Sequence, residues 1–419
     1  MSEIHIKIIS KYIISLFFFL LLYLRGVGST SGELSGFVGS ELVRSGFENV
    51  RLSITGEKVI VAFENRRFRS DARAIVEVIW IIRKYLEKGT VTLVVELRRL
   101  PVLMVEVDLY SFDAFEKGLV SKAELYSTIR TSNDVDAIWK NLKQIEIQNY
   151  SSFKTEVLVN PDFRAQFGDY SDPLQSQVNL IPEVVMHTWQ GASFSGQVVV
   201  PLQNDLSDEG NLVRPGILSI NQLLRIPDQV LVSLAVGAFS NNRIGLDADL
   251  KKYLLNGQLA FGARIGITDY VDFTGYQANL EDEILMQALL NVQYFNPVYD
   301  VSVRLTGGMF LYQDIGLRFD ISRYFGEASI GFFALRTNGE LNGGFNFSIP
   351  LPPGKHTKLR SVRLRPADSF YWGYRVKGFP QEGIIYSTGQ SIDGMMNELN
   401  PSYVRNQMVW FIQNKLSKQ

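Results

Sequence analysis

The sequence predicts a mainly β protein: a transmembrane outer-membrane antiparallel β-barrel of about twelve strands, preceded by a small periplasmic α/β domain. Three observations carry that expectation. They are an apolar N-terminal run suited to export, a β-β-α-β-β pattern behind it, and a long series of segments that alternate with period two. Composition excludes several other classes. The 419 residues hold 42 Lys+Arg against 43 Asp+Glu and no cysteine. Disulfides, thiol nucleophiles, thiolate metal sites and a lipid-modified cysteine anchor are therefore ruled out. His5, His187 and His356 lie too far apart in sequence for a His-Glu-x-x-His zinc motif, so no metal or cofactor is expected. A net charge of -1, with no basic stripe, gives no reason to bind nucleic acid.

Residues 1–28 read as a secretory signal peptide. Lys7 and Lys11 precede the apolar run from Tyr12 to Leu24, and the small residues Gly26, Gly28 and Ser29 follow Arg25. The run is shorter than the roughly 20 residues of a spanning helix.

The α/β domain is expected over residues 40–148. Residues 49–55 and 58–63 alternate around Gly56-Glu57, a hairpin signal. Ser70 then offers an N-cap to a helix with Ala72, Ile75, Val76, Ile79, Ile82 and Leu86 on one face, which Gly89 ends. Strand-like runs at 90–97 and 102–110 and an amphipathic stretch at 134–144 complete the module. The basic cluster Arg66-Arg67-Phe68-Arg69 reads as a solvated loop.

The barrel is expected over residues 155–352. Val301, Val303, Leu305, Met309 fall on one parity and Ser302, Arg304, Thr306, Gly308 on the other. Ile315, Leu317, Phe319, Ile321 oppose Gly316, Arg318, Asp320, Ser322, and the segments 259–268 and 341–351 repeat the pattern. Turn residues such as Asn256-Gly257 and Asn338-Gly339 separate the segments, and Tyr and Phe gather near their ends, as in interfacial girdles. A soluble glycan-binding β-sandwich shares the period, but it would point its apolar face inward. Residues 353–419 form a C-terminal segment with room for one more strand and, from Asn400 to Leu416, a periplasmic helix.

The stretch from Gly307 through Asp314, Gly316, Arg318, Ser322-Arg323 and Phe325-Gly326, continued by Gly331, Thr337, Gly343 and Phe345–Leu351, resembles the YjbH (GfcD-like) family of exopolysaccharide and capsule biosynthesis proteins. The resemblance covers about residues 40–380 and is most specific over 305–352. It implies an outer-membrane barrel that works with polysaccharide secretion machinery, and it supplies no catalytic residue. The expected function is assistance in exopolysaccharide or capsule secretion or assembly without catalysis. The expected partners are outer-membrane lipid, polysaccharide and other exopolysaccharide-export proteins in the periplasm or outer membrane.

Arg164, Glu183, Asp247, Asp249, Arg264, Arg304, Arg318 and Asp320 share the polar parity and are candidates to line the lumen. Asp247 and Asp249, about 7 Å apart on one strand face, leave open a glycan- or lipid-modifying barrel enzyme. His187 shares a parity with Glu183 and is expected to pair inside the lumen. Tyr371, Trp372 and Tyr374 are candidates to stack on sugar rings, or else to face lipid.

Overall fold

The computed structural model describes residues 31–416, apart from 168–173, 207, 275–276, 377–380, 393–394 and 396–397. The expected signal peptide, residues 1–28, lies outside the described residues. The protein is mainly β, with a small N-terminal α/β part.

The N-terminal part begins with a helix, α1 (Ser31–Ser45), which the sequence reading did not place; Gly32, Gly36 and Gly39 lower its helix propensity. Packing overrides that weak propensity, since Val38 and Leu42 are fully buried. A five-stranded sheet follows in the order β1 (Glu48–Thr55), β2 (Lys58–Glu64), β3 (Thr90–Leu97), β4 (Leu100–Asp108), β5 (Arg130–Ser132). β2 and β3 pair in parallel, so the chain must cross over between them, and α2 (Asp71–Arg83) makes that crossover. α2 ends at Arg83 with Lys84 as its C-cap, short of the expected stop at Gly89; Gly89 instead precedes β3 at φ +122, where an added Cβ would fall 2.1 Å from the Glu57 carbonyl oxygen. α3 (Leu109–Glu116), α4 (Lys122–Thr128) and α5 (Asp136–Leu142) fill the return of the chain. Eight of the thirteen residues of α2 are buried, more than one amphipathic face accounts for. The reason lies at the other end of the sequence: α6 (Pro401–Leu416) packs on α2 and adds Met408, Val409 and Ile412 to the same core.

Twelve long strands make up most of the rest. They are β6 (Thr155–Phe167), β7 (Leu174–His187), β8 (Ala192–Asn204), β9 (Arg214–Ile226), β10 (Val230–Phe239), β11 (Arg243–Leu254), β12 (Leu259–Thr274), β14 (Leu285–Asn296), β15 (Val301–Met309), β16 (Ile315–Phe325), β17 (Ala328–Thr337) and β18 (Glu340–Pro350), each antiparallel to the next. A short β13 (Gln277–Leu280) extends β12. Two further strands, β19 (Val362–Pro366) and β20 (Ser369–Arg375), are separated only by Ala367 and Asp368. β19 pairs in parallel with β6, while β20 pairs antiparallel with β18. Both ends of the strand path therefore fall within residues 362–375. Above that join no ladder links β20 to β6 among the described residues. Rings meet there instead, Phe163 with Trp372 at 6.2 Å and Phe167 with Tyr374 at 5.8 Å between centroids.

The strand turns alternate between two ends. The near end carries the α/β part, α6 and turns such as 188–191, where the Gly191 N–H donates to the Arg98 carbonyl. The far end carries the β10–β11, β15–β16 and β17–β18 turns. After β20 the chain does not stay at the far end. Residues 383–392 return across the inner face of the sheet, and at the near end Asn400 meets Gly257. Among the described residues no helix is long and apolar enough to cross a membrane, which says nothing of strands.

Candidate functional site

The period of two becomes two opposed surfaces. On the outer parity large apolar side chains stand exposed, with Leu246 at 61%, Leu290 at 69% and Phe332 at 58%. On the inner parity polar side chains are buried: Asn221, Lys251, Gln287 and Gln293 are all at or below 3%. A water-soluble β protein distributes these the other way round. Burial on the inner face is supplied partly by opposing strands and partly by residues 383–392.

That returning segment makes specific bonds along its whole path. At the far end the Gly383 N–H donates to Asp314 Oδ2 (2.7 Å) and the Leu311 N–H to the Ile384 carbonyl (3.1 Å). Ser387 and Ser240 exchange two bonds, and Ser219 Oγ donates to the Thr388 carbonyl at 2.8 Å. At mid-height Tyr386 OH donates to Asp247 Oδ2 (2.7 Å), and Arg264 Nε donates to the same oxygen (2.9 Å). Arg264 Nη2 closes the triangle on the Tyr386 carbonyl at 3.0 Å. The Tyr386 ring stacks on Phe239, with centroids 5.4 Å apart and planes 4° apart. Toward the near end, Arg98 Nη2 donates to the Gln390 carbonyl.

The expected lumen candidates sit on this face. Asp247 is bound as above. Asp249 lies opposite Arg264 in the β11–β12 register. Glu183 accepts from Ser195 Oγ (2.6 Å) and Asn160 Nδ2 (3.0 Å). Arg318 donates to both oxygens of Asp320 at 2.7–3.0 Å and lies over the Phe333 ring. With Arg304, Ser302, Thr306 and Tyr324 that pair lines a cavity of about 290 Å³ against Ile385 of the returning segment. Arg164, half exposed near the far rim, lies 3.4 Å from Asp162. The three aromatic candidates divide by parity. Trp372 and Tyr374 pack with Phe345 and Phe347 on the outer surface, whereas Tyr371 lies opposite Ser348 on the inner one.

Two expectations are corrected. His187 does not meet Glu183: its Nδ1 lies 3.3 Å from Glu64 Oε1, because β7 ends beside the α/β part. The basic cluster is not a solvated loop. Arg66 is buried and donates to Glu156 of β6 at 2.9 Å, where Arg363 (2.6 Å) and Arg365 (2.5 Å) of β19 also converge. Arg69 binds Glu327 between β16 and β17 and the Leu351 carbonyl. Charge runs on a loop are solvated only when no partner covers them, and here the sheet does. Sequence reasoning missed Tyr386 and Glu156 as organising residues. Neither lies in a motif, and their partners are 139 and 207 positions away.

Residues 31–216 match the YjbH family, described as "Exopolysaccharide biosynthesis protein YbjH". The match supports a role in exopolysaccharide biosynthesis. It covers the α/β part and the first strands of the large sheet, whereas the stretch 305–352, where the sequence resemblance is most specific, lies beyond it. Comparison with curated proteins and with solved structures finds no match.

Proposed function

We propose that the large sheet is a closed outer-membrane β-barrel, that the α/β part is periplasmic, and that the protein assists exopolysaccharide or capsule secretion or assembly without catalysis of its own. One observation carries the reading: the sheet is apolar outside and polar inside, the distribution a strand array needs in lipid. Two more support it. The strand path begins and ends within residues 362–375, which leaves little open edge. The first half matches the exopolysaccharide biosynthesis family.

Residues 383–392 occupy the inner face, so polymer travels beside this barrel and not through it. The role that follows is that of an anchored scaffold. The barrel fixes the protein in the membrane, and the α/β part presents a folded surface to other export proteins. The carboxylate pair that could have suggested an enzyme is committed elsewhere, since Asp247 is held by Arg264 and Tyr386. Deleting the gene and measuring surface polysaccharide tests the reading. Loss that is restored by the full chain is expected; unchanged export would sink it.

A further inference from the structure

Between the α/β part and the near end of the sheet lies a cavity of about 370 Å³, within the range of small-ligand pockets. Its walls come from the loop after β2, from β6, β7, β19 and the β19–β20 join, and from the end of the returning segment. Among the described residues it is lined by five arginines and five carboxylates. Most of that charge is internally paired, as at Glu156 with its three guanidinium groups. The unused valences are mixed. His356, 4% exposed, makes no hydrogen bond through either ring nitrogen, although Nε2 lies 3.4 Å from Asp368 Oδ1, and the buried Nε atoms of Arg98 and Arg363 are also unpaired. The guanidinium nitrogens are donors, and the imidazole adds at least one more. In the same lining Glu96 Oε2 is buried without a hydrogen-bond partner, Asp71 accepts from Asn65 Nδ2 (2.8 Å), and Glu398 stands exposed at the rim. Asp368 and Ser369, both exposed, form the way in.

Buried donors and a buried carboxylate oxygen left without partners in one cavity are costly unless something bridges them. An anion would satisfy the donors but face Asp71, Asp368 and Glu398. A cation would meet the arginines. A ligand whose adjacent groups each donate and accept serves both walls without adding net charge, and vicinal sugar hydroxyls do this. We propose that this cavity binds one uncharged sugar unit, so that the junction of the two parts is a saccharide site. Burial, with the charges of Glu64 and Asp368, raises Asp71 to about 6, which marks the acceptor wall as already crowded with negative charge. The choice of a sugar as ligand rests on the polysaccharide reading above; the cavity and its unpaired groups do not.

The test is calorimetric titration of the purified full chain, in a detergent without a sugar headgroup, with glucose, galactose, mannose, N-acetylglucosamine, glucuronate and glucosamine. At least one neutral sugar is expected to bind saturably, and at least about tenfold more tightly than the two charged ones. Glu398→Gln, which keeps the shape and removes an ionic acceptor, is expected to weaken binding about tenfold. Ser369→Phe, at the entrance, is expected to abolish it, with heat-modifiable gel migration unchanged in both variants. Preference for glucuronate or glucosamine, no saturable binding by any neutral sugar, or unaltered binding in Ser369→Phe overturns the inference. Polysaccharide export in the deletion strain is a separate readout. Export that needs the protein although no sugar binds removes the site and leaves the function. Sugar binding without an export defect does the reverse.

Discussion

At the scale of single residues, the inner face is held by contacts that leave no room for even one carbon more. Gly266 lies beneath Tyr386, and a Cβ added there would fall 1.6 Å from the Tyr386 hydroxyl oxygen. The hydroxyl cannot simply swing aside, because its ring is stacked on Phe239 and its proton is committed to Asp247. Gly266→Ala should therefore expel Tyr386 from its place and destabilise the protein by about 1–3 kcal/mol. Adding Tyr386→Phe, which shortens the side chain by the clashing atom, should recover part of that loss. Thermal unfolding of the three variants in micelles checks the order; equal stability of Gly266→Ala and the parent would show that Tyr386 does not occupy the inner face. Sequence reading placed Asp247, Arg264 and Gly266 on one parity correctly in kind, since parity follows from the alternation alone. It could not supply Tyr386, because residues 383–392 lie in no helix or strand and carry no period.

At the scale of elements, the two parts are joined by charge at their boundary and by apolar packing through α6. Glu156 receives Arg66 from the α/β part and Arg363 and Arg365 from β19, and it is itself buried. Removing the carboxylate charge would leave three guanidinium groups facing one another at low exposure. Breaking a buried ion pair by deleting one partner typically costs about 3–5 kcal/mol. Glu156→Gln should thus loosen the junction, seen as faster limited proteolysis in residues 149–154 while the strands stay protected; unchanged cleavage would mean that α6 alone holds the parts together. The strands themselves were legible in the sequence, including most of those in the α/β part, because alternation and turn residues are local signals. α1, α3 and α4 were not. Their stability comes from burying Val38, Leu42, Phe112 and Leu125 against elements distant in the sequence, a tertiary effect that short windows do not register.

At the scale of the whole molecule, two observations combine into one architecture. Exposed Leu, Ile, Val and Phe side chains cover the outer face of twelve strands, far beyond the apolar patches a soluble monomer presents. The chain's own residues 383–392 then lie on the inner face, with Phe310, Leu311 and Phe333 buried near the far end. On the proposed reading, a barrel so filled is an anchor, and its function lies at its surfaces and at the junction with the α/β part.

The absence of cysteine makes the central claim directly testable, because each introduced thiol is the only one in the chain. Single cysteines at Leu246 and Leu290 on the outer face, Glu281 in the far loop and Lys117 on α/β residues can be probed in intact cells. A membrane-impermeant maleimide should label Glu281→Cys and not Lys117→Cys. Leu246→Cys and Leu290→Cys should react only with a reagent dissolved in the lipid. Ready labelling of Leu246→Cys and Leu290→Cys by the water-borne reagent, in protein recovered from the soluble periplasmic fraction, would contradict the central claim.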